Sequence, residues 1–141
     1  GMDTGDIALQ EAVDIGPNET AGELHDRLAP LGGRLLGKAV DRLCDGALEF
    51  IAQDHDLATQ APLLRKADGL VDWTHSAQTV HNHIRGMSPW PGAFLAQSQG
   101  PLKLHGSMVV DGSGPPGVIL SIGSIPRRGT YSPNGTKWNL S

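Results

Sequence analysis

A carboxylate in a glycine-containing turn is the first candidate for chemistry in this chain of 141 residues. Asp3-Thr4-Gly5 has the tripeptide that surrounds the catalytic aspartates of aspartic proteases, whose mechanism needs two carboxylates that share a proton. The tripeptide occurs once, and only two residues precede it where a protease has an apolar strand. Taken alone, the tripeptide therefore predicts a turn capped by Asp3 rather than a protease site.

The histidines, the single cysteine and a glycine-rich loop predict no further chemistry. His81 and His83 are the closest histidine pair, but side chains two residues apart on a helix point about 200° from each other, so the pair cannot share one ion. Cys44 falls in an amphipathic segment without an acid-base partner nearby, which predicts a small buried side chain. The loop at residues 112–117 spells Gly-x-Gly-x-x-Gly, but its two prolines remove amide donors that a phosphate loop needs. We expect no metal site.

The residues after Asp3 predict one strand and one long helix. Apolar and polar side chains alternate over residues 7–15, which favours a strand. After a Gly-Pro-Asn turn, Thr20 and Glu23 have the spacing of a capping box, so a helix is expected to begin there. Leucines then recur every three or four residues over positions 20–45, and Pro30 predicts a kink or a short break in that helix.

The second half of the chain has a different pattern. Residues 53–71 lack a clear period and suit a connecting arm. Thr74 is predicted to cap a helix that carries Val80 and Ile84 on one face. Three short strands are predicted, at residues 93–97, 102–110 and 118–122. Clusters of Gly and Pro separate them, which is typical of a small antiparallel sheet or barrel.

Composition and charge add limits on function. No apolar run approaches the roughly 20 residues of a membrane span, and one cysteine excludes an internal disulfide framework, so the sequence predicts a soluble cytoplasmic protein without a membrane partner. Residues 1–60 carry four basic and twelve acidic side chains, whereas residues 61–141 carry seven basic and three acidic ones. This asymmetry predicts two units with different partners, of which the basic one could meet a polyanion.

Several sequence blocks, taken in order, carry a family resemblance. The first is Met2-Asp-Thr-Gly-Asp6, and the second runs from Gly16-Pro-Asn-Glu-Thr-Ala-Gly to Leu28. The later blocks begin at residue 53: Gln53-Asp54 through Leu57-Ala58-Thr59, Ala61-Pro62 with Lys66, Asp72-Trp73, and His81-Asn-x-Ile-Arg-Gly86 with Pro89-Trp-Pro-Gly-Ala93. Together these blocks resemble the methionyl-tRNA formyltransferase family over roughly residues 2–120.

The resemblance implies an α+β chain with parts of two domains. Residues 1–52 would be the C-terminal part of a Rossmann-like formyltransferase catalytic domain, represented by a strand and a long helix. Residues 53–71 would be the linker, and residues 72–122 the start of a C-terminal domain that forms a partial OB-like β-barrel. Residues 123–141 do not resemble the family, and their Gly, Pro and Ser content predicts a flexible tail.

The resemblance also implies a reaction. In the family, the amino group of methionyl-initiator tRNA attacks the formyl carbon of 10-formyltetrahydrofolate, in the one-carbon step that prepares translation initiation. Asp3 would take the role of the catalytic aspartate, and Thr4, Gly5 and Asp6 would shape the loop beside the folate. The family's Asn-x-His-x-Ser motif is absent from these 141 residues, so the isolated chain is expected to be inactive.

Two other functions remain open at the level of sequence. The first is an enzyme that uses the same formylated folate but passes the formyl group to another acceptor, as in sugar-nucleotide formyltransferases or formyltetrahydrofolate hydrolases. The block that begins at Glu19 and the Leu57-Ala-Thr segment favour the tRNA enzyme. The other is a non-catalytic module that binds tRNA through its cations, among them Arg65, Lys66, Arg85 and Lys103.

The sequence also gives two expectations about the surface. Many family members carry a lysine where Leu63 stands, so fewer linker contacts to tRNA phosphate are expected here. Without the rest of a catalytic domain around it, Asp3 is expected to be exposed. Exposed leucines in helix 20–45 and the edge of strand 7–15 then predict a homodimer.

Overall fold

The computed structural model describes residues 3–112 and 114–118, which form two compact units of mixed α and β structure. Unit 1 contains the described residues up to Gly16 together with Glu23–Leu63. Unit 2 contains Pro17–Gly22 and the described residues from Leu64 onward. Except for Val118, the predicted strand at 118–122 lies outside the described residues, as does the predicted tail at 123–141.

One long helix, α1, spans Ala21–Cys44 and begins directly after Thr20, as the Thr-x-x-Glu spacing predicts. The predicted break near Pro30 is absent, because a proline removes only one backbone hydrogen bond and the turns on either side keep theirs. Leu31 is buried, whereas Leu36 is 67% exposed. The prediction of a buried Cys44 is wrong, since this residue lies at the exposed end of the helix.

The predicted strand over residues 7–15 is wrong. Of these residues, only Ile7 forms a β-bridge in the described part of the chain, with Ile51. Two backbone hydrogen bonds join them, from the Ile7 amide to the Ile51 carbonyl at 2.8 Å and from the Ile51 amide to the Ile7 carbonyl at 2.9 Å. Alternation of side chains marks a segment that can pair, but a strand forms only where a neighbouring backbone continues the ladder.

In unit 2, helix α2 spans Ala77–Gly86 and begins at a serine cap. The Ser76 hydroxyl accepts a hydrogen bond from the Thr79 amide at 3.2 Å, so the prediction that Thr74 caps this helix is wrong. Thr74 is engaged elsewhere, because both its amide and its hydroxyl donate to the Asp72 carboxylate. Asp72 therefore fixes a turn that ends two residues before the cap.

A two-stranded antiparallel sheet follows, with β1 at Ala93–Leu95 and β2 at Leu102–Leu104. Both strands are shorter than predicted, since β1 ends before a turn in which the Gly100 amide donates to the Gln97 carbonyl. The core of unit 2 lies between α2 and this sheet, with Trp73, Met87 and Leu95 packed around five buried residues: Val71, Val80, Ile84, Ala93 and Leu104.

Candidate functional sites

The loop that carries Asp3 is held by a side chain from much later in the sequence. Gln53 donates its amide Nε2 to the Asp3 carbonyl at 3.1 Å and also to the Gly5 carbonyl. The Ile7–Ile51 bridge brings the two segments together, because Gln53 follows Ile51 by two residues. Nothing in the sequence around Gln53 points to this role, since a contact across 50 positions leaves no local spacing signal.

Asp3 is exposed, as expected, and its backbone has a φ of 59°. This left-handed conformation is uncommon for residues other than glycine, although aspartate and asparagine adopt it more readily than most. Thr4 and Asp6 are also exposed, and a Cβ on Gly5 would have no atom within 4 Å among the described residues beyond Gly5 and its chain neighbours. The loop therefore presents an exposed carboxylate, with space beside its backbone at Gly5.

Three predicted cationic residues are exposed in unit 2: Arg65, Lys66 and Lys103. Lys66 begins a 3-10 turn, Lys66–Gly69, and Arg65 caps that turn. Lys103 lies on β2 directly opposite Phe94 of β1. The backbone connects these places, because Phe94 forms a parallel bridge with Leu70, the residue after the 3-10 turn. Backbone pairing through Phe94 therefore links the segments that carry these cations, which are nearly 40 residues apart in the sequence.

Close backbone packing fixes the 3-10 turn against the segment before β1. Gly69 is buried, and a Cβ built on it would overlap the carbonyl oxygen of Gly92. Gly92 itself has a φ of +85°, and its amide donates to the Met87 carbonyl at 2.8 Å. Glycine is required at both positions, at Gly69 by the lack of space and at Gly92 by the backbone conformation.

The fourth predicted cation, Arg85, has a different environment. It is half-buried at the C-terminal end of α2, and its guanidinium donates from Nε to the Asn82 side-chain oxygen at 2.9 Å. Its Nη1 donates to the Glu19 carbonyl at 2.8 Å. Both contacts lie inside unit 2, so this guanidinium forms hydrogen bonds within the protein.

His81 is the buried histidine of α2, with 3% of its surface exposed. Its two ring nitrogens lie 2.9 Å from the Ser107 hydroxyl and 3.2 Å from the Pro17 carbonyl. His81 is therefore hydrogen-bonded on both sides of its ring, as the sequence predicts for this residue. Among residues 3–112 and 114–118, no group of three or more His, Cys, Asp or Glu side chains is placed to hold a metal ion.

One carboxylate has a shifted pKa. Hydrogen bonds from the Thr74 amide and hydroxyl to Asp72 lower the pKa of this exposed carboxyl, and the neighbouring His75 adds to the shift when it is charged. Asp72 is the residue before Trp73, in one of the blocks that carry the family resemblance. The lowered pKa of Asp72 is therefore a consequence of the turn before α2, and it does not indicate that Asp72 acts as an acid or a base in catalysis.

Comparisons with known proteins show what the chain is similar to. A family model described as "Formyl transferase, C-terminal domain" matches residues 63–125. The chain is 45% identical over 123 residues to proteins named methionyl-tRNA formyltransferase from Citrifermentans bemidjiense, Trichlorobacter lovleyi and Geobacter sulfurreducens. Each match covers 87% of this chain and 39% of the relative, so the chain spans about two fifths of the length of these curated relatives.

These similarities confirm the family resemblance that the sequence blocks carry. The matched stretch of 123 residues is almost twice as long as the matched C-terminal domain, so it includes part of the chain that precedes that domain. Separately, no helix in the described part of the chain is long and apolar enough to cross a membrane.

Proposed function

The chain is related to methionyl-tRNA formyltransferases over 87% of its length, and from this relationship we propose that it carries out part of the formylation of methionyl-initiator tRNA. The observation that supports the proposal best is 45% identity over 123 residues to several such enzymes. The acceptor would be the amino group of methionine on tRNA, and the reaction an acyl transfer. Residues on both sides of the linker would contribute to it.

Asp3 is proposed as the carboxylate of the reaction centre. The transfer passes through a tetrahedral oxyanion and needs a proton to leave the attacking amine, so it benefits from a fixed carboxylate that orients an acid-base group or a water. The Gln53 side chain would hold this carboxylate in place, because it binds the carbonyls on both sides of Thr4. Gln53 is therefore proposed as a positioning residue.

Thr4, Gly5 and Asp6 are proposed to border the binding site of 10-formyltetrahydrofolate, which would supply the formyl group. The open space beside Gly5 fits this role, since a side chain there would stand between the loop backbone and a ligand. The exposed hydroxyl of Thr4 and carboxylate of Asp6 would offer hydrogen bonds to polar groups of the folate.

Arg65, Lys66 and Lys103 are proposed to contact tRNA phosphates. All three are exposed and lie in the matched C-terminal domain, and phosphate contacts supply most of the affinity of such interfaces. Arg85 would add its positive charge to this region, although its guanidinium already donates to two acceptors of the protein. Leu63, 93% exposed, stands where many family members carry a lysine, so less of the contact would come from the linker.

The architecture is proposed to follow the same relationship. Residues 1–52 would correspond to the end of a Rossmann-like domain, and the α2-β1-β2 region to the start of an OB-like barrel. The homodimer predicted from sequence uses Leu24, Leu28, Leu31 and Leu35 of α1. Because Leu31 is buried, the contact is proposed to centre on Leu28, which is exposed. Light scattering on the wild-type chain and on Leu28→Asp tests it, because a monodisperse monomer in both cases would contradict a dimer formed through this helix.

The test of the catalytic proposal uses a chimera. This chain would replace the matching 39% of the Citrifermentans bemidjiense enzyme, and formyl transfer to methionyl-tRNA would be measured. Asp3→Asn is expected to lower kcat by about 10²–10⁴, whereas the matched control Asp14→Asn, also exposed in the same unit, is expected to have no effect. Equal activity of the Asp3→Asn chimera and the parent chimera would contradict the role of Asp3.

A further inference from the structure

A short segment near the beginning of the sequence belongs structurally to the second unit. Residues 17–22 are part of unit 2, although Gly22 lies 42 positions before Leu64, where the rest of that unit begins. The segment has the sequence Pro-Asn-Glu-Thr-Ala-Gly, and its last two residues, Ala21 and Gly22, are the first two of α1. Its contacts show what holds it there.

Two side chains of α2 donate to backbone carbonyls of this segment. The Arg85 Nη1 donates to the Glu19 carbonyl at 2.8 Å, and the His81 Nε2 lies 3.2 Å from the Pro17 carbonyl. A carbonyl oxygen can only accept, so Nε2 is the donor in the contact with Pro17, while Nδ1 lies 2.9 Å from the Ser107 hydroxyl on the other side of the ring. His81 is thus held by partners on two sides.

The orientation of Arg85 is fixed from within its own helix. The Asn82 side-chain oxygen accepts from Arg85 Nε at 2.9 Å and from Gln78 Nε2 at 3.1 Å. A guanidinium can donate from Nε and Nη1 at once in a rigid fork, which an ammonium cannot reproduce. Arg85 therefore connects the exposed face of α2 to the Glu19 carbonyl with a defined geometry.

The last residue of the segment is fixed by its backbone. The Gly22 amide, in the first turn of α1, donates to the Ser88 carbonyl at 3.0 Å. A Cβ on Gly22 would lie 2.7 Å from the Pro89 Cδ, a distance that real Cβ atoms essentially never show. The segment is thus held at Pro17, Glu19 and Gly22, by three separate residues of the C-terminal region.

We infer that Arg85 and His81 are positioning residues that anchor residues 17–22, so that the C-terminal domain consists of two sequence segments and its contacts fix the place where α1 begins. The matched family domain starts at residue 63 and therefore omits the first segment. This inference rests on contacts within unit 2 and is independent of the formyl acceptor.

Hydrogen–deuterium exchange on the full 141-residue chain tests the anchor. Arg85→Gln and Arg85→Lys are each expected to raise the exchange rate of amides in residues 18–23 at least tenfold, because neither side chain donates to Asn82 and Glu19 at once. His81→Ala is expected to do the same, and His81→Gln to restore part of the protection, since its amide can donate to Pro17. Exchange in the middle of α2, around Val80, is expected to stay slow in the Arg85 variants.

Two glycine variants provide a test that leaves the side chains of α2 unchanged. Gly22→Ala is expected to accelerate exchange in residues 18–23, because its methyl group meets Pro89, whereas Gly32→Ala in the same helix has open space and is expected to leave exchange there unchanged. Unchanged exchange in residues 18–23 in the Arg85 variants and Gly22→Ala would overturn the inference. So would acceleration spread equally over unit 2, which would show a general loss of stability.

Discussion

The Asp72 carboxylate illustrates how one residue determines the path of the chain into α2. It accepts hydrogen bonds from the Thr74 amide at 2.9 Å and from the Thr74 hydroxyl at 2.7 Å. Because these bonds stabilise the ionised form, the pKa of Asp72 lies below its ordinary value. The group is exposed, so its contribution to stability is small and is best detected through its dependence on pH.

Asp72→Ala is expected to lower the stability of unit 2 at neutral pH and to lose this effect in acid. A carboxyl whose pKa is lowered by folding stabilises the protein above its unfolded-state pKa, about 3.9, and the contribution disappears as the pH falls through the lower folded-state value. Urea unfolding of the wild type and the variant at neutral pH and in strong acid measures the difference. Asp45→Ala, in unit 1, is the control, and a difference that persists below both pKa values would contradict this explanation.

The motifs around Asp3 could be read from the sequence, but the contact that holds them could not. Asp3, Thr4 and Gly5 are adjacent, so a tripeptide pattern reveals them at once. Gln53 contacts their backbone from 50 positions away, and His81 binds Pro17 across 64 positions. Such contacts depend on tertiary structure, and a single sequence carries no signal for them.

At the scale of elements, the helices follow their sequence signals more closely than the strands do. The spacing of leucines predicts α1 because a helix satisfies its own backbone hydrogen bonds. The segment 7–15 has an equally regular alternation and forms no strand, because strand formation depends on a neighbouring backbone. The start of α2 was misplaced by two residues, since Thr74 and Ser76 are both suitable caps and only Thr74 is engaged by Asp72.

Ser76→Ala is expected to destabilise unit 2 by about 1 kcal/mol, the usual effect of removing a helix N-cap. The Ser76 hydroxyl is the acceptor for the Thr79 amide, which would otherwise have no partner within the helix. Ser98→Ala, at an exposed position in the turn after β1, serves as a control and is expected to change stability by less than about 0.5 kcal/mol. Equal effects of the two substitutions in urea unfolding would show that Ser76 does not act as the cap.

At the scale of the whole molecule, charge separates the two parts of the chain. The acidic residues predominate in residues 1–60 and the basic ones in residues 61–141. The exposed Arg65, Lys66 and Lys103 all belong to the basic part. A protein that binds tRNA through this part would release counterions from the phosphates, so its affinity would fall as salt rises.

Lys103→Gln is expected to reduce the salt dependence of binding to initiator methionyl-tRNA. Loss of one phosphate contact lowers the slope of log K against log salt by roughly 0.7–0.9. Fluorescence anisotropy over a series of salt concentrations measures this slope, with Lys38→Gln on α1 as the control. An unchanged slope for Lys103→Gln would remove this residue from the interface, and binding that is insensitive to salt would remove the electrostatic basis of the proposal.

The acceptor specificity of the chimera is the sharpest test of the proposed function. With this chain in place of the matching 39% of the Citrifermentans bemidjiense enzyme, formyl transfer from 10-formyltetrahydrofolate would be followed with methionyl-tRNA and with an amino-sugar nucleotide as competing acceptors. Our account predicts that the folded chimera formylates methionyl-tRNA at a rate within about tenfold of the parent, a difference of about 1.4 kcal/mol in activation free energy, and leaves the sugar nucleotide unmodified. A folded chimera that fails to formylate methionyl-tRNA, or that prefers the sugar nucleotide, would contradict it.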